Sequence, residues 1–149
     1  MSVGEVCIRE VIITGRETPV AELAELMRRH HVGDILVTED RDDKAMPVGI
    51  VTDRDLVIKL LAAGVDPQTV TAEDVMSGDL QVVEEGADLL DTIKRMRAQG
   101  VPRIPVVKRN GELVGLLAFD ELLELLAEQL DDLVQLIRSG RKHEEDRRI

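Results

Sequence analysis

The sequence predicts an α/β (α+β) fold: two copies of one β-α-β-β-α unit, followed by an extended C-terminal helix. Three observations carry the prediction. Segment Val20 to Val37 matches Leu89 to Val106 at one constant offset, so Met27 falls on Met96, Val32 on Val101 and Ile35 on Ile104, with Val6 on Val75. A glycine, an apolar strand and an acidic helix start occur together twice, as Gly49-Ile50-Val51-Thr52-Asp53-Arg54-Asp55 and as Gly115-Leu116-Leu117-Ala118-Phe119-Asp120-Glu121. Beyond the second of these, Leu122, Leu126, Leu130, Leu133 and Ile137 form a stripe at helical spacing, widened by Leu123, Leu125, Val134 and Leu136.

In the first copy, Val11-Ile12-Ile13 is a short strand. Thr18 is a possible helix cap and Pro19 suits a first helical turn. Val20, Leu23, Ala24 and Met27 then recur on one face, with Glu22, Glu25 and Arg28 on the other. Gly33 follows the end of this helix, and Ile35-Leu36-Val37 is the second strand. The first copy has three more residues between Thr38 and Pro47 than the second has between Val107 and Leu113. The run Glu39-Asp40-Arg41-Asp42-Asp43-Lys44 therefore reads as a longer polar hairpin loop. Strand Val48 to Val51 and a helix from about Asp53 to Ala63, stopped at Gly64, complete the copy.

The second copy repeats the order. Leu80 to Val83 is a strand, Ala87 to Gln99 a helix ended by Gly100, and Ile104 to Val107 a strand. Asn110-Gly111 is a tight-turn signal, and Leu113 to Leu117 is the last strand. The final helix is expected from Asp120 to Arg138, with a stop near Gly140. The connector Gly64 to Thr69 is short, so the units should pack together. The expected organisation is a first unit with connector over 1–69, a second unit over 70–128, a helix extension over 129–140 and a mobile charged tail over 141–149. The first half of the final stripe is expected to pack within the chain, and the second half to meet another subunit.

Composition narrows the function classes. Of 149 residues, 44% are hydrophobic, enough for a core, but there is one Phe and neither Trp nor Tyr. Single-stranded nucleic acid is held largely by stacking on aromatic faces. A net charge of −11, from 30 acidic and 19 basic side chains, repels a phosphate backbone. Neither nucleic acid nor an anionic membrane is expected as a partner. The single Cys7, the adjacent His30 and His31 and the distant His143 offer no metal-ligand spacing. With no membrane-length apolar run and no leader pattern, the chain is read as soluble and cytoplasmic.

Catalytic spacing is absent too: no nucleophile has a legible base, and there is no phosphate-cradling glycine loop. Thr52 and Asp55 fit the role of N-terminal capping residues, whose oxygens accept the free N–H groups of a first helical turn. Whether they do more is open at this level.

The doubled pattern resembles a tandem pair of cystathionine-β-synthase (CBS) domains over about residues 3 to 128. The resemblance rests on Gly49 to Asp55, on Gly100-Val101-Pro102-Arg103-Ile104-Pro105-Val106-Val107 leading to Gly115, and on Thr52 to Lys59 with Ala63 to Pro67, a run similar to small stand-alone bacterial members. It implies two units packed through their sheets about a pseudo-twofold axis, with an adenosine-containing ligand (AMP, ADP or ATP, with S-adenosylmethionine or NAD as further possibilities) in the cleft between them. No cofactor would be required.

On that resemblance, Asp55 would accept hydrogen bonds from ribose hydroxyls and Thr52 would donate to a phosphate. Asp79 and Gln81 at the first strand of copy two, with Val101, Pro102 and Arg103, would form the other half of the pocket. The base would lie between Ile50 and Val101. Arg103 and Arg54 are the cations assigned to phosphate; the alternatives are an ion pair to nearby acids for Arg103 and a solvated first-turn position for Arg54. The symmetry-related site would use Ile12, Val32, Gly33, Asp34 and Glu121. There Ala118 replaces Thr52, Glu121 replaces the aspartate, and Asp34 stands where Arg103 stands in the other copy, so that site should be weak or empty. The implied function is a non-catalytic, homodimeric energy or metabolite sensor read by an unknown regulated protein. The alternative is a structural dimerisation protein with a vestigial pocket.

Overall fold

The computed structural model describes residues 1–147. Two three-stranded sheets are built alike. In the first, β1 (Ile13–Thr14) pairs parallel with β2 (Asp34–Arg41), which pairs antiparallel with β3 (Lys44–Thr52). In the second, β4 (Val83–Glu84) pairs parallel with β5 (Arg103–Val107), and β5 antiparallel with β6 (Leu113–Ala118). Helices α2 (Val20–His30) and α5 (Leu89–Gln99) supply the parallel crossovers. Their apolar faces bury Leu23 and Met27 in one core and Leu89 and Met96 in the other.

Each core is completed by the other copy's leading helix. Helix α1 (Val3–Val6) places the fully buried Val3 in the second core, held by Val3 N–H donating to Ala87 O at 2.9 Å. Helix α4 (Ala72–Val75) places Ala72 and Val75 in the first core, held by Ala72 N–H donating to Thr18 O at 2.9 Å. The chain segments after α1 and α4 then cross the third strand of a sheet beside its glycine. Ile8 and Leu116 exchange backbone hydrogen bonds of 2.9 and 2.8 Å next to Gly115, and Met76 lies over Gly49. A Cβ at Gly115 would collide with the Ile8 carbonyl, and one at Gly49 with the Met76 side chain. Close approach of a crossing segment, by its backbone at Gly115 and by a side chain at Gly49, therefore explains why both copies carry glycine here.

Several expectations are corrected. Thr18 does not cap α2: the N-cap is Pro19, and the Thr18 hydroxyl accepts instead from Thr14 Oγ1 at 2.7 Å. His31, in the left-handed region at φ 53°, ends the helix ahead of Gly33. The additional residues of the first hairpin lengthen its strands rather than its loop. Arg41 pairs with Lys44 across a two-residue turn at Asp42 and Asp43, whose φ values of 52° and 62° match the twist such hairpins need. Residues Leu80 to Val82 are irregular, and β4 is confined to Val83–Glu84.

The helix after β3 starts and stops as expected but is not an ordinary α-helix. After one turn, α3 (Asp53–Asp55), it becomes a π-helical segment, Leu56–Leu61. Ala62 N–H donates to Val57 O, five residues back, and Gly64 ends the helix at φ 68°, with Val65 N–H closing the exit onto Leu60 O. By contrast α6 (Phe119–Arg147) does not stop at Gly140. Gly140 is not among the residues with positive φ, so the backbone never makes the left-handed exit that Gly100 makes at φ 65°. Residues 141–147, expected as a mobile tail, continue the helix; residues 148 and 149 lie outside the described residues. Among the described residues, no helix is long and apolar enough to cross a membrane.

Candidate functional site

A cleft of about 230 Å³ opens between the two units. The end of β3 contributes Ile50 and Thr52. The irregular segment between α4 and β4 contributes Ser77, Asp79, Leu80 and Gln81, and the turn between α5 and β5 contributes Gly100, Val101, Pro102 and Arg103. Seven of the nine primary residues expected from sequence are thus brought together: Ile50, Thr52, Asp79, Gln81, Val101, Pro102 and Arg103. Arg54 and Asp55 are not in its lining. A larger hollow of about 360 Å³ between α5 and the start of α6 lacks the Thr, Asp and Gln side chains that converge in the cleft.

Local geometry explains these placements. Asp53 N–H donates to Gly33 O at 2.9 Å, and Phe119 N–H donates to Pro102 O at 3.0 Å, so each hairpin's mouth holds the start of the following helix. At the first of these starts, Thr52 and Asp55 form a reciprocal cap. Asp55 N–H donates to Thr52 Oγ1 at 3.2 Å, and Thr52 N–H donates to Asp55 Oδ2 at 2.9 Å. The Thr52 hydroxyl accepts in this cap and keeps its O–H available as a donor toward the cleft. The second oxygen of Asp55 lies 3.3 Å from Lys59 Nζ, which also donates to Val75 O at 2.8 Å. The capping role left open by the sequence is therefore realised. Arg54 is exposed, and its backbone N–H is satisfied by Asp53 Oδ1 at 2.8 Å.

Arg103 makes a direct tie between the units. Its Nε lies 2.6 Å from Asp34 Oδ2, and its Nη2 lies 3.5 Å from Asp120 Oδ2. Asp34 opens β2 as Arg103 opens β5, so the two equivalent positions of the repeat meet each other as an ion pair. Burial pushes the Asp34 carboxyl above its ordinary range; Arg103 opposes this, while Asp120 and Asp53 reinforce it. On the far wall, Gln81 Oε1 accepts from Arg95 Nη2 at 3.1 Å, tying the cleft to α5.

The symmetry-related position is chemically different. Ala118 is buried and offers no hydroxyl, and Glu121 is exposed. Gly33 lies against the Asp53 carboxylate, and Asp34 is committed to Arg103. The backbones of Ile12 and Val32 are occupied locally, Ile12 O by Leu36 N–H at 3.0 Å and Val32 N–H by Met27 O at 3.2 Å. Sequence reasoning missed Ser77, Leu80 and Gly100 in the main cleft. Gly100 carried the signal of a helix stop, and Ser77 and Leu80 flank the selected Asp79.

Comparison with known proteins agrees with this architecture. A family model for the CBS domain matches twice, at residues 3–62 and 72–128. The chain is 31% identical over 139 residues to hypoxic response protein 1 of Mycobacterium tuberculosis, covering 93% of this chain and 89% of that protein. It is 40% identical over 126 residues to an uncharacterised protein of Methanopyrus kandleri, covering 84% of this chain but 62% of that protein's length. The inosine-5′-monophosphate dehydrogenase of Methanocaldococcus jannaschii shares 28% identity, with 22% of its length covered.

Among solved structures, hypoxic response protein I with two coordinated zinc ions superposes with a TM-score of 0.70 at 30% identity, over 83% of this chain and 98% of that one. The CBS domain pair of protein MJ0100, in complex with 5′-methylthioadenosine and S-adenosyl-L-methionine, shares the fold with a TM-score of 0.74 at 19% identity, over 87% and 98% of the two chains. Among the described residues here, no three His, Cys, Asp or Glu side chains are grouped to hold a metal ion. Two matched copies in sequence order, folded as two like units around a shared cleft, make this chain a member of the CBS domain family, a tandem CBS pair.

Proposed function

We propose that this CBS pair is a non-catalytic regulatory module that binds one adenosine-containing nucleotide, AMP, ADP or ATP, and acts as a homodimeric energy or metabolite sensor in the cytoplasm. The observation that carries the reading is the composition of the cleft, which takes Ile50 and Thr52 from one unit and Asp79, Gln81, Val101, Pro102 and Arg103 from the other. A base fits between the aliphatic Ile50 and Val101. Asp79 faces the cleft as an acceptor for ribose hydroxyls, and Asp55 joins it by exchanging its contact with Lys59. At about 230 Å³ the cleft is smaller than pockets that enclose a whole drug-sized ligand, so the phosphates project past Thr52 and Arg103 toward solvent.

Signalling follows from Arg103. A bound phosphate competes with Asp34 and Asp120 for the guanidinium and so alters the tie between the units. The ligand shifts the equilibrium between two packings by its differential affinity for them, and the regulated protein reads the difference. The fold shared with a protein holding two adenosyl compounds supports the ligand class and leaves S-adenosylmethionine and NAD in the panel to be tested.

The absence of Trp and Tyr supplies the test, because co-purified adenine would dominate the near-ultraviolet spectrum. The spectrum of the purified chain is recorded, the sample is denatured, and any released compound is identified by mass spectrometry. An adenosyl compound, depleted in Thr52→Val, is expected. A clean spectrum followed by no thermal shift with AMP, ADP, ATP, S-adenosylmethionine or NAD would overturn the reading in favour of a structural dimer.

A further inference from the structure

Helix α6 is 29 residues long, about 43 Å at 1.5 Å per residue, and touches the body near its start through the buried Leu122. From Leu126 to Arg147 every residue is exposed. Most helical stability in proteins comes from packing an amphipathic face, and this stretch buries no residue within its own chain. Six of the eight exposed large apolar residues of α6 fall in one series, and the other two, Val134 and Leu136, flank it. Phe119, Leu123, Leu126, Leu130, Leu133 and Ile137 recur at alternating steps of four and three, with Gly140 next in the series, and their exposures run from 47% to 64%. This 3.5-residue period is the signature of a seam between two helices, not of a face packed on a sheet.

Charge identifies the partner and its direction. From Phe119 to Ile137 the helix carries Asp120, Glu121, Glu124, Glu128, Asp131 and Asp132 and no basic residue. The bases Arg138, Arg141 and Lys142 follow together, at the level of the seam's end, ahead of Glu144, Glu145 and Asp146, which lie beyond it. Two parallel copies would set the acidic halves side by side. Two antiparallel copies set the basic turn of each against the acidic start of the other.

We infer that α6 pairs with α6 of a second copy as an antiparallel two-helix seam centred between Leu130 and Leu133. Leu130 of each copy packs on Leu133 of the other, Leu126 on Ile137, and Leu123 over Gly140, while Asp120 lies near Arg141. This deepens the homodimer part of the proposed function, rests on that part, and does not depend on the ligand.

Cysteine trapping in the full-length chain tests it, with Cys7→Ser as background. Chains carrying Leu123→Cys are mixed with chains carrying Gly140→Cys and oxidised. The expected product is the mixed disulfide, with little of either self-linked dimer; self-linked dimers in place of the mixed one would overturn the antiparallel arrangement. Light scattering on Leu130→Asp with Leu133→Asp, which alters exposed positions, should show a monomer that still responds to AMP as the native chain does. A dimer that survives the double substitution would overturn this seam while leaving the homodimer reading intact. A native chain that is monomeric at micromolar concentration would overturn both.

Discussion

The two copies of the repeat are alike in backbone and unlike in chemistry at the positions that face their shared centre. Copy one ends its third strand with Thr52 and a reciprocal cap to Asp55; copy two ends its third strand with the buried Ala118 and the exposed Glu121. Copy two opens its second strand with Arg103 and copy one with Asp34, and the two side chains meet at 2.6 Å. The repeat supplies two sets of equivalent positions. Divergence left donor and cation on one side and carboxylates on the other. The fold is thus symmetric where packing decides, and asymmetric where charge decides.

The largest expected effect is on the packing side of that contrast. Both crossing glycines are needed, but their obstacles differ. At Gly115 a Cβ meets the Ile8 backbone, which cannot swing aside; at Gly49 it meets Met76, whose Sδ can turn away while its Cγ and Cβ need a small shift of the crossing segment. Gly115→Ala should cost about 1–3 kcal/mol or more, and Gly49→Ala should fall at the low end of that range, as read by chemical denaturation. Equal costs would mean that the two crossings are equally rigid.

Next in size is Arg103→Ala. Loss of one charge-assisted phosphate contact, worth about 1.5–3 kcal/mol, should weaken AMP binding by about 10- to 100-fold in calorimetry. Unchanged affinity would mean that Arg103 serves only its ion pair with Asp34. Thr52→Ala removes a cap and should cost about 1 kcal/mol of stability in addition to weaker AMP binding. The smallest effect is a pH dependence. The folded pKa of Asp34 is raised, so the native state takes up this proton before the unfolded chain does. Its contribution to stability is therefore fully present below the unfolded pKa, near 3.8, and is lost as pH rises through the raised folded value. The melting temperature of the native chain should gain on that of Asp34→Asn as pH is lowered through this window; a parallel pair of curves would contradict the assignment.

How much of this was legible follows from where each signal resides. The repeat and the strand order could be read because equivalent residues recur in both copies; the cleft residues on β3 and on the α5–β5 turn came from the resemblance to CBS pairs, because Thr52 and Arg103 have Ala118 and Asp34 as their equivalents in the other copy. The reason for Gly49 and Gly115 could not, since their neighbours arrive from distant segments around Met76 and Ile8. The ion pair of Asp34 with Arg103 was visible as a contrast in type, but a sequence does not show that equivalent positions meet. Gly140 was misread as a stop because glycine permits a left-handed exit without requiring one. The π-helical Leu56–Leu61 segment left no mark in the apolar spacing.

The proposed inequality of the two symmetry-related positions is tested most directly by titrating the native chain with AMP in a calorimeter, alongside Thr52→Val and Glu121→Gln. One site per chain, weakened at least about 10-fold by Thr52→Val and unaffected by Glu121→Gln, is the predicted result. Two equal sites per chain, or a site lost with Glu121→Gln and kept with Thr52→Val, would contradict it.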